Sequence, residues 1–210
     1  MNFTTPLPDL KINSQLFLDK KDKPIGVVCQ HVSQPDTAVI IFRGTQTITD
    51  IIQDAQFNQV PLSADTPNVL VHSGFLKSFN TVKDDIQASI TTLKPKTIII
   101  SGHSLGGALA LLTGVFLSVN MPTANVVIYT FAGPMVGNHD FSKACLAIPN
   151  MKLYRVVNAC DIIPQMPSPV SLNVKTPSQP YFYEHPNIAY IEFSDNRKSI
   201  LNNHYISNYL

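Results

Sequence analysis

The pentapeptide GHSLG, at residues 102–106, matches the pattern G-x-S-x-G, in which a serine can act as a nucleophile. An apolar run, TIIIS, ends directly before it, and an apolar segment of helical pattern begins at Leu105. A sharp turn from strand to helix would strain the backbone of Ser104 and hold its hydroxyl clear of a sheet, and a side chain at Gly102 or Gly106 would clash. The positive end of the helix and the Leu105 amide would favour a developing oxyanion there. The sequence therefore predicts Ser104 as a nucleophile.

Two other interpretations of this glycine-rich segment are a plain turn between packed elements and a loop that binds phosphate. The second is weak, because no Gly-Lys-Ser or Gly-Lys-Thr follows a glycine cluster and no G-x-G-x-x-G occurs in the chain. The turn without chemistry remains the alternative to a nucleophile.

A serine nucleophile at such a turn is followed along the chain first by an acid and then by a histidine base. Three aspartates follow Ser104, namely Asp140, Asp161 and Asp195. Asp161 comes after the apolar run LYRVV, at the carboxyl end of a predicted strand, where open α/β sheets place their sites. Asp140 opens a short helix, and Asp195 lies in a turn-like stretch. We therefore expect Asp161 to be the acid.

The order of the residues leaves two candidate bases, His185 and His204, because the other histidines precede Asp161. His204 lies where a polar loop leads into a helix-like segment. His185 precedes Pro186, which restricts its backbone to extended conformations. A base must reach both the nucleophile and the acid, so the residues favour His204 and leave His185 open.

Predicted strands and helices alternate along the chain. The periodicity predicts strands at residues 25–32, 38–42, 69–72, 97–101, 126–131 and 153–157 and helices at residues 75–93, 105–119 and 140–148. The strand at residues 97–101 is of the kind that is buried on both faces of a parallel sheet. This alternation indicates an α/β fold with a mostly parallel sheet.

Composition places bounds on the function. The chain has 210 residues, 44% of them hydrophobic and 14% charged, with a formal net charge of +1. A folded protein without a nucleic-acid-binding surface is expected, in one domain covering residues 1–210. Its three cysteines form no CxxC pair, so the cysteines indicate neither a structural zinc site nor a redox motif. Neither a metal nor a cofactor is expected. No membrane-spanning segment and no Sec signal peptide are visible, which is consistent with a cytoplasmic protein or one exported by another route.

Five motifs in a fixed order make the chain similar to the class 3 lipase family, which contains the small fungal triacylglycerol lipases. They are IIFRGT, VHSGF, GHSLGGALA, TFAGPMVGN and RVVNACDIIPQMP, at residues 40–45, 71–75, 102–110, 130–138 and 155–167. The resemblance implies an α/β-hydrolase fold, with a mostly parallel central sheet flanked by helices. It also implies Ser104 as nucleophile, Asp161 as acid and His204 as base, with Thr45 and Leu105 as the oxyanion-hole donors through their amides.

In this family the segment after Thr45 often forms a lid helix. Here Ile48, Ile51 and Ile52 would share one apolar face of such a helix. The resemblance therefore implies a lid that opens at a lipid surface. A helix packed permanently on the core is the alternative, and the isoleucine at position 51 stands where the family usually has tryptophan.

The expected function is the hydrolysis of carboxylic esters of lipids, as in triacylglycerol lipases, through a Ser-His-Asp triad and an acyl-enzyme. The alternatives are an esterase for another ester, such as a feruloyl, phospholipid sn-1 or short-chain acyl ester, and an inactive interaction module on the same fold. The expected partner is an ester substrate, at a lipid–water interface for a lipase, and a monomer is expected.

Overall fold

The computed structural model describes residues 10–18, 22–31, 33–44, 58–168, 170–171, 180–186, 190–197 and 199–209. Thr45, expected in the oxyanion hole, and the expected lid residues Ile48, Ile51 and Ile52 lie outside the described residues.

A mostly parallel sheet forms the centre of the fold, as the sequence predicts. Its strands are, along the chain, β1 (Leu10–Leu18), β2 (Pro24–His31), β3 (Gln34–Phe42), β4 (Gln59–Pro61), β5 (Leu70–His72), β6 (Thr97–His103), β7 (Asn125–Phe131), β8 (Met151–Asn158), β9 (Val170–Ser171), β10 (Tyr181–Phe182) and β11 (Tyr190–Phe193). The main sheet has the order β1-β2-β3-β6-β7-β8-β11, while β4 pairs with β5 and β9 with β10. The pairs β1–β2 and β2–β3 are antiparallel, and the strands from β3 to β11 in this order run parallel.

The described α-helices are α1 (Ser73–Asn80), α2 (Lys83–Leu93), α3 (Leu105–Asn120), α4 (His139–Leu146) and α5 (Ile200–His204). The first four lie between parallel strands of the main sheet, and α5 follows the last strand. The buried helix α3 packs against β6 and β7. On β6, Ile98 and Ile100 are fully buried on this side, whereas Ile99 and Ser101 on the other side are half-buried. The expectation that this strand is buried on both faces is therefore wrong, since in the described part of the chain its second face is covered less completely.

The apolar pattern predicts one helix over residues 75–93, but the structure has two. The break lies at Thr81 and Val82, whose amides donate to the carbonyls of Ser78 and Phe79, three residues earlier. The Thr81 hydroxyl also donates to the Ser78 carbonyl at 2.7 Å, and a side chain that bonds to nearby backbone competes with a regular helix. The second helix stops as predicted before Pro95, with Lys94 in a left-handed conformation.

The parallel arrangement brings the carboxyl ends of β6 and β8 to the same edge of the sheet. Ser104 directly follows β6, and Asp161 lies in the loop that follows β8. The strand β11 returns beside β8, and the Ala159 amide donates to the Phe193 carbonyl at 2.8 Å. This return places the segment that leads into α5, and with it His204, next to the loop that carries Asp161.

Candidate active site

Ser104 lies in a strained turn between β6 and α3. Its φ is 58° and its ψ is −127°, a conformation that residues with a side chain rarely adopt. A Cβ atom at Gly102 would lie 2.0 Å from the carbonyl oxygen of Gly106, and one at Gly106 would lie 2.7 Å from that of Phe42. The two glycines of the motif are therefore required by close backbone packing.

The surroundings of Ser104 contain main-chain groups that can face an oxyanion. Leu105 is the first residue of α3, and the amides of a helix's first turn have no acceptor within the helix. Gly44 follows β3, and a Cβ atom there would lie 3.3 Å from the Cβ of Ser104 and 2.8 Å from the His103 carbonyl oxygen. The segment that leads to Thr45 thus reaches the serine, while Thr45 itself lies outside the described residues.

Asp161 is 1% exposed and accepts three hydrogen bonds through its carboxylate. Its Oδ1 accepts from the Ile163 amide at 2.9 Å, and its Oδ2 accepts from His204 Nδ1 and from the Tyr209 hydroxyl, each at 2.6 Å. A buried carboxylate with three donors is held in one orientation. Because Nδ1 of His204 faces this carboxylate, it carries a proton, and Nε2 of the neutral ring is then an acceptor.

Two buried polar atoms at this site have no hydrogen-bond partner within the part of the chain that the structure describes. They are Oγ of Ser104 and Nε2 of His204. Buried polar atoms are nearly always paired, so two exceptions in one site call for an explanation. A hydroxyl and an imidazole nitrogen that are both free can interact with each other or with a substrate.

His103, which precedes Ser104, is in direct contact with His204. Its Nε2 donates to the main-chain carbonyl of His204 at 2.8 Å, and the two rings lie 4.6 Å apart. Burial, and then repulsion from His204 in its protonated form, lower the pKa of His103 to about 4. His103 therefore stays neutral and acts as a hydrogen-bond donor, as a packing or hydrogen-bonding residue would.

The other candidate base, His185, has a different environment. Its Nε2 bonds to the carbonyl of Pro164 at 2.6 Å, and its own carbonyl accepts from the Ser142 hydroxyl at 3.2 Å. Burial, and then the charge of Arg155, lower its pKa to about 3. The structure thus brings His204, and not His185, to Asp161.

The sequence predicts Ser104, Leu105, Asp161 and His204. It does not predict the polar side chains around Asp161. These are Asn158, Asn203 and Tyr209. The only sequence signal for Asn158 is its position at the end of the predicted strand before Asp161, where polar residues of open sheets collect.

The described residues contain no group of three or more histidine, cysteine or acidic side chains that could hold a metal ion. Within the same residues, no helix has the length and apolar character needed to cross a bilayer. The three cysteine thiols are free, with Cys29 and Cys145 buried and Cys160 half-buried.

Comparison with known proteins gives consistent relatives. The family model of "Lipase (class 3)" matches residues 39–171. A lipase of Rhizopus niveus is 35% identical over 138 residues, which cover 62% of this chain and 35% of that protein. The chloroplastic phospholipase A(1) DAD1 of Arabidopsis thaliana is 31% identical over 155 residues, which cover 64% of this chain and 34% of that protein. The match therefore spans about a third of the length of these two relatives.

Among solved structures, the triacylglyceride lipase of Rhizomucor miehei superposes with a TM-score of 0.73 at 26% sequence identity, covering 90% of this chain and 69% of that one. The fold is therefore the α/β-hydrolase fold that the sequence predicts, and the family match extends over more than half of the residues. This chain belongs to the class 3 lipase family.

Proposed function

We propose that this chain is a serine hydrolase that cleaves carboxylic esters of lipids, with Ser104 as nucleophile, His204 as general base and Asp161 as the acid. The observation that carries the proposal is the arrangement of the buried histidine. Its Nδ1 is bonded to Asp161 at 2.6 Å, and within the described residues its Nε2 and the Ser104 hydroxyl, which lie in the same site, have no hydrogen-bond partner. An inactive module would have no need for a strained serine with a poised base.

In the first half of the reaction, His204 Nε2 takes the proton of the Ser104 hydroxyl as its oxygen attacks the ester carbonyl. The negative charge that forms on the carbonyl oxygen would be stabilised by the Leu105 amide and, as the sequence predicts, by the Thr45 amide. The intermediate collapses when His204 gives its proton to the leaving alcohol, which departs and leaves an acyl-enzyme.

In the second half, water attacks the acyl group while His204 accepts a proton from it. The oxyanion donors act again, and the protonated histidine returns the proton to the Ser104 oxygen as the carboxylic acid is released. Asp161 keeps the tautomer of His204 correct and offsets the charge of the imidazolium in both halves. The three donors on its carboxylate keep it in position for this role.

Lipid substrates are proposed because both curated relatives, a lipase and a phospholipase A(1), are named for lipid esters. The phospholipase relative makes the acyl ester of a phospholipid the second candidate substrate. Since Ser104, Asp161 and His204 all belong to one chain, the proposed site needs no second copy, and we propose that the protein acts as a monomer.

An active-site phosphonate and a series of esters test this proposal together. We expect the phosphonate to label Ser104 alone and the wild type to hydrolyse triacylglycerols or phospholipids of long acyl chain. Labelling of another residue in the folded protein, or no labelling, would support the inactive module. Turnover restricted to short or feruloyl esters would replace the lipid substrate by another ester.

A further inference from the structure

Asn158, the last residue of β8, uses the full hydrogen-bonding capacity of its amide side chain. It is fully buried. Its Oδ1 accepts from the amides of Cys160 and Asp195 at 3.1 and 3.0 Å. Its Nδ2 donates to the carbonyls of Asp195 and Asn203 at 2.9 and 3.2 Å. One side chain thus joins the end of β8 to Asp195 and Asn203, which lie 37 and 45 residues further along the chain.

A second buried amide makes the reciprocal connection. Nδ2 of Asn203 donates to the Cys160 carbonyl at 2.9 Å, and its Oδ1 accepts from the Arg197 amide at 2.6 Å. Cys160 directly precedes Asp161, and Asn203 directly precedes His204. The residues that come immediately before the proposed acid and the proposed base are therefore hydrogen-bonded to each other.

The segment that carries His204 has little structure of its own to hold it. Its helix α5 spans only Ile200–His204, and a helix of one or two turns is unstable without tertiary contacts. The preceding strand, β11, ends at Phe193. The position of His204 relative to Asp161 must therefore come from contacts across the two segments, and the two amides supply several of them.

We propose that Asn158 and Asn203 are positioning residues that dock the segment carrying His204 onto the loop carrying Asp161, so that the imidazole meets both the acid and Ser104 at reactive distance. This inference rests on the proposed function, in which Asp161 and His204 act as a pair. Neither asparagine touches the substrate. A displacement of about 1 Å in such a group costs on the order of 10²-fold in rate, so loss of the docking affects turnover more than binding.

Asn158→Asp is the sharpest variant, because it keeps the shape of the side chain and its acceptors. It replaces the donor by an oxygen that faces the carbonyls of Asp195 and Asn203. The matched control is Asn150→Asp, next to the opposite end of β8. Nδ2 of Asn150 donates to three carbonyls, those of Ser118, Met121 and Ala124, and none of these belongs to the site.

The measurement is hydrolysis of a dissolved short-chain p-nitrophenyl ester, with melting temperatures for every variant. We expect Asn158→Asp to lower kcat by on the order of 10–100-fold, with KM within about threefold of wild type. Asn150→Asp should lower the melting temperature without lowering kcat at a temperature where it is folded. A kcat for Asn158→Asp no lower than that of Asn150→Asp would overturn the proposal.

The variant Asp161→Asn separates positioning from a general structural role. If Asn158 acts through the Asp161–His204 pair, adding Asn158→Asp to the Asp161→Asn variant should lower kcat by less than about twofold. Equal losses in both backgrounds would contradict positioning. If Asp161→Asn itself leaves kcat unchanged, the proposed function fails, whatever the result for Asn158.

Asn203→Asp keeps the test decisive if Asn158→Asp does not fold. It retains the acceptor for the Arg197 amide and loses only the donor to the Cys160 carbonyl. We expect a smaller loss of kcat, about 3–30-fold, and again almost none in the Asp161→Asn background. A folded Asn203→Asp with the kcat of wild type would overturn the role of the pair.

Discussion

The hydroxyl of Tyr209 donates to Oδ2 of Asp161 at 2.6 Å, the same oxygen that accepts from His204 Nδ1. The main-chain amide of Asn158 in turn donates to the Tyr209 hydroxyl at 3.2 Å. Burial raises the pKa of Tyr209, and so does its hydrogen bond to Asp161, so the phenol remains a donor at neutral pH. The carboxylate is therefore shared between the proposed base, His204, and a structural tyrosine.

Tyr209→Phe should lower the free energy of unfolding by about 1–3 kcal/mol, because a buried carboxylate and a buried amide each lose a partner. Urea unfolding at pH 7 measures this change. Tyr129→Phe is the control, since that side chain is 37% exposed and far along the chain from the acid. Equal stabilities of the two variants would mean that the Tyr209 hydroxyl adds nothing to the fold.

His204→Ala should remove nearly all activity, by a factor on the order of 10⁴–10⁶ in kcat, as should Ser104→Ala. The double variant should be scarcely worse than either single one, because the two side chains act as one unit. His185→Ala should alter the melting temperature more than kcat, because His185 bonds to the Pro164 carbonyl and not to the acid. An inactive, folded His185→Ala beside an active His204→Ala would reverse the assignment.

Ser104→Gly should be more stable than Ser104→Ala by about 1 kcal/mol, because both remove the hydroxyl but only glycine accepts a positive φ without strain. Thermal unfolding of the two inactive variants measures the difference. The matched control is Ser118, a buried residue of α3 whose hydroxyl is also without a partner in the described part of the chain. There the order should reverse, since glycine is the poorer residue within a helix. The same order at both sites would contradict strain at Ser104.

The stabilising contribution of His72 should be lost in mild acid. Its Nδ1 accepts from the amides of Gly74 and Phe75 at 3.1 and 3.3 Å and so caps α1, which requires the neutral ring. Burial lowers its pKa from 6.5 to about 4. The unfolded chain therefore binds more protons between these values, and the contribution of His72 to stability, complete above pH 6.5, is lost as the pH falls towards 4.

His72→Asn tests this, because asparagine is a favoured capping residue that does not titrate in this range. Melting temperatures from pH 7 to pH 4 should fall less steeply for the variant than for wild type. His139→Asn is the control, because that histidine is largely exposed and pairs with Glu184 at the surface. Parallel curves for His72→Asn and wild type would show that the cap does not titrate.

The lid hypothesis rests on the sequence alone. If Ile48, Ile51 and Ile52 cover an acyl pocket, the rate should rise sharply once a substrate passes its solubility limit. Ile51→Ser should weaken that rise, because it removes part of the apolar face that would contact a lipid surface when the lid opens. It should spare the hydrolysis of dissolved short esters. Ordinary saturation across the solubility limit would leave an esterase without a lid.

The sequence by itself determined what depends on neighbours along the chain. The turn at Ser104 is predictable because the flanking glycines and the apolar runs on either side are local features, and close packing at Gly102 and Gly106 confirms their role. The parallel sheet was predictable for the same reason, because each strand and helix has its own periodicity. Asp161 was predictable because it follows Ser104 along the chain and lies at the end of a predicted strand.

Only the tertiary structure decided between His185 and His204, since both follow Asp161 and only one reaches its carboxylate. The break between α1 and α2 was likewise hidden, because the apolar pattern continues across it while the hydroxyl of Thr81 bonds to the backbone. Asn158 shows the reason most clearly. The hydrogen bonds of its side chain reach Asp195 and Asn203, about forty residues away along the chain. Such partners are set by how the whole chain packs and not by local spacing.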